Sequence, residues 1–156
     1  MLPDWPPDDL PRLIELDNCF VTSRPTEQYN CIAWAAGENH RRWDIKAGYY
    51  WPAGVPRQRT MSVVIQVYRT VGYTPCANGD LEDGIEKVAI YGEKDNGKIR
   101  PTHAALQLSC GHWTSKLGDF TDVVHKTPED VNGPSYGEVI GYMARPRTTP
   151  MASSPR

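Results

Sequence analysis

An α+β domain is the fold class this sequence predicts, with helices first and an antiparallel sheet after them. Apolar residues at helical spacing fall in the first half: Cys31, Trp34 and Ala35 sit at i, i+3 and i+4, and Val63, Val64, Val67 and Tyr68 form one stripe. Alternating stretches bounded by glycine fall in the second half. The length, 156 residues, fits a single domain with a core large enough to need no metal or disulfide.

In chain order, residues 1–11 are rich in proline and acid and read as an extended arm. A first helix is predicted over 27–40, ending near Gly37. Residues 42–57 form an aromatic loop carrying Trp43, Tyr49, Tyr50 and Trp51 among glycines and prolines. A second helix is predicted over 59–71, stopped by Gly72. A strand over 85–91 ends at Gly92, and the polar stretch 93–100 reads as a loop. Residues 103–108 and 112–117 flank Cys110-Gly111 as a hairpin. A two-residue turn there pairs Ser109 with His112 and sets Gly118 opposite His103. The last strand is predicted over 136–144, closing a single domain of 12–145 before a polar tail at 146–156.

Seventeen basic residues against nineteen acidic ones leave a net charge of -2 and a pI near 6.1, with no basic stripe on one predicted face. Nucleic acid is therefore not an expected partner. The longest apolar run, Cys31 to Ala36, is too short to span a bilayer, so no membrane association is expected. The first residues lack the basic and apolar regions of a secretory signal, which predicts a soluble, monomeric, cytoplasmic protein with free thiols; an effector delivered elsewhere has the same composition.

Two residues carry the expected chemistry. Cys31 stands at the start of an apolar helix, where unpaired N–H groups favour a thiolate. His103 opens a strand of the predicted sheet, and a thiolate nucleophile needs an imidazole within hydrogen-bond reach. A helix bearing cysteine packed on a sheet bearing histidine supplies that pairing.

The order Asn30-Cys31-x-x-Trp34-Ala35, then Asn78-Gly79-Asp80-Leu81 and Val88-Ala89-Ile90-Tyr91, then His103-Ala104-Ala105 resembles the papain-like superfamily of cysteine peptidases and amidases. The layout is nearest to the NlpC and CHAP types. More closely, Tyr29-Asn30-Cys31-x-x-Trp34-Ala35, Thr102-His103-Ala104-Ala105, Trp113 to Gly118 and Tyr136-Gly137 resemble an uncharacterised bacterial domain family over about residues 27–146. The resemblance implies a nucleophile helix packed on a C-terminal antiparallel sheet, Cys31 as nucleophile and His103 as general base. On the predicted register, Asp119 or, with a bulge, Ser115 orients the imidazole, and Asp122 is a weaker choice. The oxyanion hole implied is the Cys31 N–H with Gln28 or Tyr29. Papain's glutamine position is Pro25 here, and the aspartate that usually precedes the NlpC cysteine is Asn30.

The expected activity is thus cleavage of an amide or isopeptide bond in a peptide or protein substrate, with no organic cofactor and no metal. The alternative is a catalytically inactive papain-like fold that binds a protein partner through the aromatic loop. A zinc-dependent regulator is a third reading, but there is no Cys-x-x-Cys, and Cys110-x-His112 is the one close pair. Trp43, Tyr49, Tyr50 and Trp51 fit either a substrate cleft or a core wedge. Arg41-Arg42 and Arg57-x-Arg59 read as solvated charge. Asp122 and His125 read as a polar pair near the cleft or as a plain loop hydrogen bond.

Overall fold

The computed structural model describes residues 19–21, 29–38, 41–117, 122–134 and 136–147. Their elements are β1 (Cys19–Val21), α1 (Cys31–Ala35), α2 (Met61–Arg69), β2 (Thr74–Cys76), β3 (Ile85–Asp95), β4 (Lys98–Gln107), β5 (Trp113–Lys116), β6 (Asp122–His125), a 3₁₀ turn η1 (Pro128–Val131) and β7 (Glu138–Pro146). The seven strands form one antiparallel sheet in the order β1-β6-β5-β4-β3-β7-β2. The class is α+β, as the pattern predicts, although β1 precedes the helices.

Strand alternation divides the core. Val88, Ile90, Ala104, Leu106 and Met143 face the two helices and the loop tryptophans Trp43 and Trp51. Ala89, Tyr91, Ala105, Trp113, Leu117 and Val123 face the other way, where Val131 of η1 covers them. Helix α2 buries the predicted stripe of Val63, Val64, Val67 and Tyr68, and the Thr60 hydroxyl accepts from the Val63 N–H at its start. Helix α1 is shorter than predicted. It ends at Ala35, with the Ala36 N–H bonding the Ile32 carbonyl as its cap, just before Gly37 with φ +93°.

Two expectations about the hairpins are corrected. Residues 93–100 are not a loop: β3 and β4 continue past Gly92 to the Asp95–Lys98 pair, and Asn96 (φ 52°) and Gly97 (φ 80°) make the turn. Both central residues need positive φ in that turn, which Asn-Gly supplies at least cost. The second hairpin has a three-residue connection. The Gly111 N–H bonds the Leu108 carbonyl and the Leu108 N–H bonds the His112 carbonyl, so Leu108 faces His112. Gly111 at φ +95° closes this turn. The register is one residue off the predicted one, which exchanges the faces of every β5 side chain relative to β4.

Among the described residues the β4–β5 ladder is Leu106–Thr114 and Gln107–Trp113, with Leu108 facing His112 at the turn, whereas β3 and β4 pair from Val88–Leu106 to Asp95–Lys98. The sheet is thus weakly joined at one line, and α1 packs across it, against both β4 and β5. The far corner is held by a buried ionic cluster. Glu86 accepts from Arg145 (2.8 Å), Arg147 (3.3 Å) and the Tyr73 hydroxyl (3.3 Å). Arg145 also donates to the carbonyls of Val71 and Ala36, joining the ends of both helices to β7.

Candidate functional site

Cys31 is the first residue of α1, and Asn30 fixes it there. The Asn30 side chain accepts from the N–H groups of Ala33 and Trp43 (both 3.2 Å) and donates to the Trp43 carbonyl (2.6 Å). One buried amide thereby caps the helix and ties it to the aromatic loop. The indole of Trp34 donates to the Thr114 hydroxyl on β5 (3.0 Å), and the Tyr68 hydroxyl donates to the Ile32 carbonyl (3.2 Å).

The half-buried thiol opens on a cavity of ≈ 190 Å³. Trp43, Trp51, Val64 and Tyr68 form its apolar wall; Arg42, Asp44 and Arg59 are its charged residues; His103 and Tyr136 stand on the β4 side. Burial pushes the Cys31 thiol up. N–H groups of Ala104 and Ile32, and more weakly the charges of Arg42 and Lys116, pull it down without cancelling that effect. The expected lowering by the helix N-terminus is therefore corrected: desolvation prevails over the few donors that a five-residue helix presents. Iodoacetamide is expected to alkylate Cys31 more slowly than exposed Cys110 near neutral pH, as counted by peptide mass spectrometry. Faster reaction at Cys31 would show that the thiolate prevails after all.

His103 lines the same cavity but makes no hydrogen bond to the sulfur. The β3–β4 ladder passes from Tyr91–His103 to Gly92–Pro101, so Thr102 is a bulge beside it. The imidazole stacks at 4.1 Å on Tyr136 and packs at 5.0 Å from Tyr91, on the side of the second core cluster. It is 3% exposed, and neither ring nitrogen has a hydrogen-bond partner among the described residues. Burial, with a smaller contribution from His125, lowers its pKa to about 3. Thiol and imidazole both stand neutral in the free protein.

The other predicted residues that are described do not gather here. Ser115 is not an orienter of His103. Its hydroxyl bonds His125 Nε2 at 2.8 Å, while His125 Nδ1 bonds the Thr127 carbonyl at 2.7 Å. His125 is thus a buried structural group and no partner of Asp122. Tyr29 donates to Asp122 and stacks on Trp34, which takes its hydroxyl away from an oxyanion position at Cys31. Asp119 and Gln28 lie outside the described residues.

A family model described as "Domain of unknown function (DUF7689)" matches residues 20–144. The chain belongs to that family. No curated protein and no solved structure matches it. Membership in DUF7689 places every described cavity residue inside the matched span and assigns none of them a role.

Several of these residues escape sequence reasoning. Asn30 carries a local signal, an N-cap amide just before an apolar helical pattern. The arginines carry none. Arg57 is exposed, as expected of solvated charge, and it also donates to the carbonyls of Asp44, Ile45, Lys46 and Tyr49, while Arg42 bonds Asp44 at 3.2 Å. In the aromatic loop Trp43 and Trp51 are core residues, as the wedge reading expects, and they also line the cavity. Among the described residues no group of three His, Cys, Asp or Glu side chains is placed to hold a metal ion, and no helix is long and apolar enough to cross a membrane.

Proposed function

We propose that this chain is a thiol hydrolase of papain-like architecture, cleaving an amide bond of a peptide or protein, with Cys31 as nucleophile and His103 as proton acceptor. The observation that carries this reading is that Cys31 and His103 line one cavity, and that the buried imidazole of His103 has no hydrogen-bond partner among the described residues. A buried polar group without a hydrogen bond costs stability, and a cavity is where a ligand or a reacting proton offsets that cost.

The chemistry starts from two neutral groups. Ligand entry brings sulfur and imidazole into reach, since apo spacing at catalytic pairs commonly tightens on binding. A His103 nitrogen takes the Cys31 proton as sulfur bonds to the acyl carbon. The carbonyl pair moves onto oxygen and returns as the C–N bond breaks, and the imidazolium gives its proton to the leaving amine. Water, deprotonated by the same nitrogen, releases the acid and restores the thiol. The Ala104 and Ile32 N–H groups stabilise the sulfur whenever it is anionic.

A non-catalytic binding module is the second reading, favoured by the raised thiol pKa and the missing Cys31–His103 hydrogen bond. p-Nitrophenyl acetate separates the two without knowledge of the natural substrate. The hydrolase reading expects an acetyl thioester on Cys31 by peptide mass spectrometry, with turnover slowed about 10²-fold or more in His103→Ala. Cys31 left unmodified, or acetylated and released equally well without the imidazole, favours the binding module.

A further inference from the structure

We infer that the cavity selects a ligand bearing a single carboxylate, and that Arg59 is the residue that selects it. What then happens at the sulfur rests on the thiol-hydrolase reading, whereas what binds does not. The described charged residues on the cavity are Arg42, Asp44 and Arg59. Arg42 and Asp44 neutralise each other through their hydrogen bond. Partial burial pulls the Asp44 carboxyl up, but the Lys46 N–H, the Arg42 bond and the charges of Arg42 and Arg59 together hold it below the ordinary carboxylate value. Asp44 is therefore ionised near neutral pH, and among the described cavity residues the cation without a hydrogen-bonded counter-charge is Arg59.

Arg59 is exposed at the cavity and has no hydrogen bond or ion pair among the described residues. Its guanidinium is a planar fork whose paired donors match the two oxygens of a carboxylate. Arg59 is one cation, so it balances one carboxylate and leaves the second charge of a dianion without a counter-charge among the described cavity residues. The tryptophan and tyrosine wall accommodates the aliphatic stem that carries the acid. At ≈ 190 Å³ the cavity falls below the about 300–1,000 Å³ of drug-sized sites, so it takes one residue-sized group. An acidic side chain and a free chain end share this chemistry.

Thermal unfolding of the full chain tests the inference with four probes. N-acetyl-glutamic acid α-amide carries only the side-chain carboxylate, N-acetyl-glutamine only the terminal one, N-acetyl-glutamine α-amide neither, and inorganic phosphate, with all four probes run at about pH 8.5 where it is doubly charged, is the dianion control. Affinities follow from the dependence of the midpoint on probe concentration. At least one of the two acids is expected to bind about tenfold or more tightly than the neutral amide and than phosphate. Whichever acid binds identifies the source of the carboxylate. Arg59→Gln is expected to abolish the preference and Arg59→Lys to keep part of it, with unliganded midpoints unchanged because the side chain is exposed. Equal binding of the neutral amide, tighter binding of phosphate, no binding by either acid, or an undiminished preference in Arg59→Gln would each overturn the inference. Carboxylate binding beside an inert Cys31 would keep this inference and remove the hydrolase; an acylated Cys31 with no carboxylate preference would do the reverse.

Discussion

Replacing His103 by phenylalanine is expected to stabilise the protein by about 1–3 kcal/mol near neutral pH while abolishing His103-dependent chemistry at Cys31. Phenylalanine keeps the ring contacts with Tyr136 and Tyr91 and removes two buried nitrogens that have no partner among the described residues. The gain grows in acid. Burial holds the His103 pKa near about 3, below its ordinary 6.5. Between those values the unfolded chain takes up a proton that the native state refuses. Wild-type stability is therefore full above the ordinary value and falls as the pH drops from there toward about 3. The variant loses that part of the slope and keeps the part belonging to His125, whose pKa is lowered to about 4 by burial, against the raising effects of its Thr127 bond and Asp130. Urea unfolding at about pH 7 and about pH 4.5 measures both effects. An equal acid loss in variant and wild type would show that His103 is already solvated or paired.

The buried ion cluster gives the second large effect. Arg145→Met is expected to cost about 3–5 kcal/mol, because it keeps the aliphatic stem but strips the best-placed cation from Glu86 and frees the Val71 and Ala36 carbonyls. For a chain of this size that lowers the melting temperature by about 10 °C. Glu86→Gln added to Arg145→Met is expected to recover part of the loss, because the remaining buried negative charge is then gone. A loss below about 1 kcal/mol would place the cluster with ordinary surface pairs. Ala36 closes α1, so denaturation and Cys31 reactivity are expected to change together.

The elements most legible in the sequence are those fixed by nearest neighbours. Val63, Val64, Val67 and Tyr68 lie on one face whatever they pack against, and the Thr60 cap and Gly72 stop act within one helical turn. Asn96-Gly97 is an equally local signal, obscured by the charged residues around it that read as loop. Distant matters were harder. The Leu108 to His112 connection adds one residue to the turn, and that residue decides which face carries Ser115. Composition shows nothing of this. Cys31 and His103 were recognisable as residue types in a pattern, and the cavity does join them. Their neutral state was not recognisable, since desolvation depends on everything packed around them.

The short joint between β4 and β5 bears on how the molecule breathes. On one side lie β5, β6 and β1, on the other β4, β3, β7 and β2. The clip across that seam is α1 with its flank: Cys31 takes the Ala104 N–H of β4, Trp34 holds Thr114 of β5, and Tyr29 holds Asp122 of β6. The Cys31 sulfur is therefore also a fastening between two half-sheets. Any acyl or alkyl group placed on it loosens that fastening, so amide hydrogen exchange along β4 and β5 becomes a reporter of the chemical state of a single cysteine.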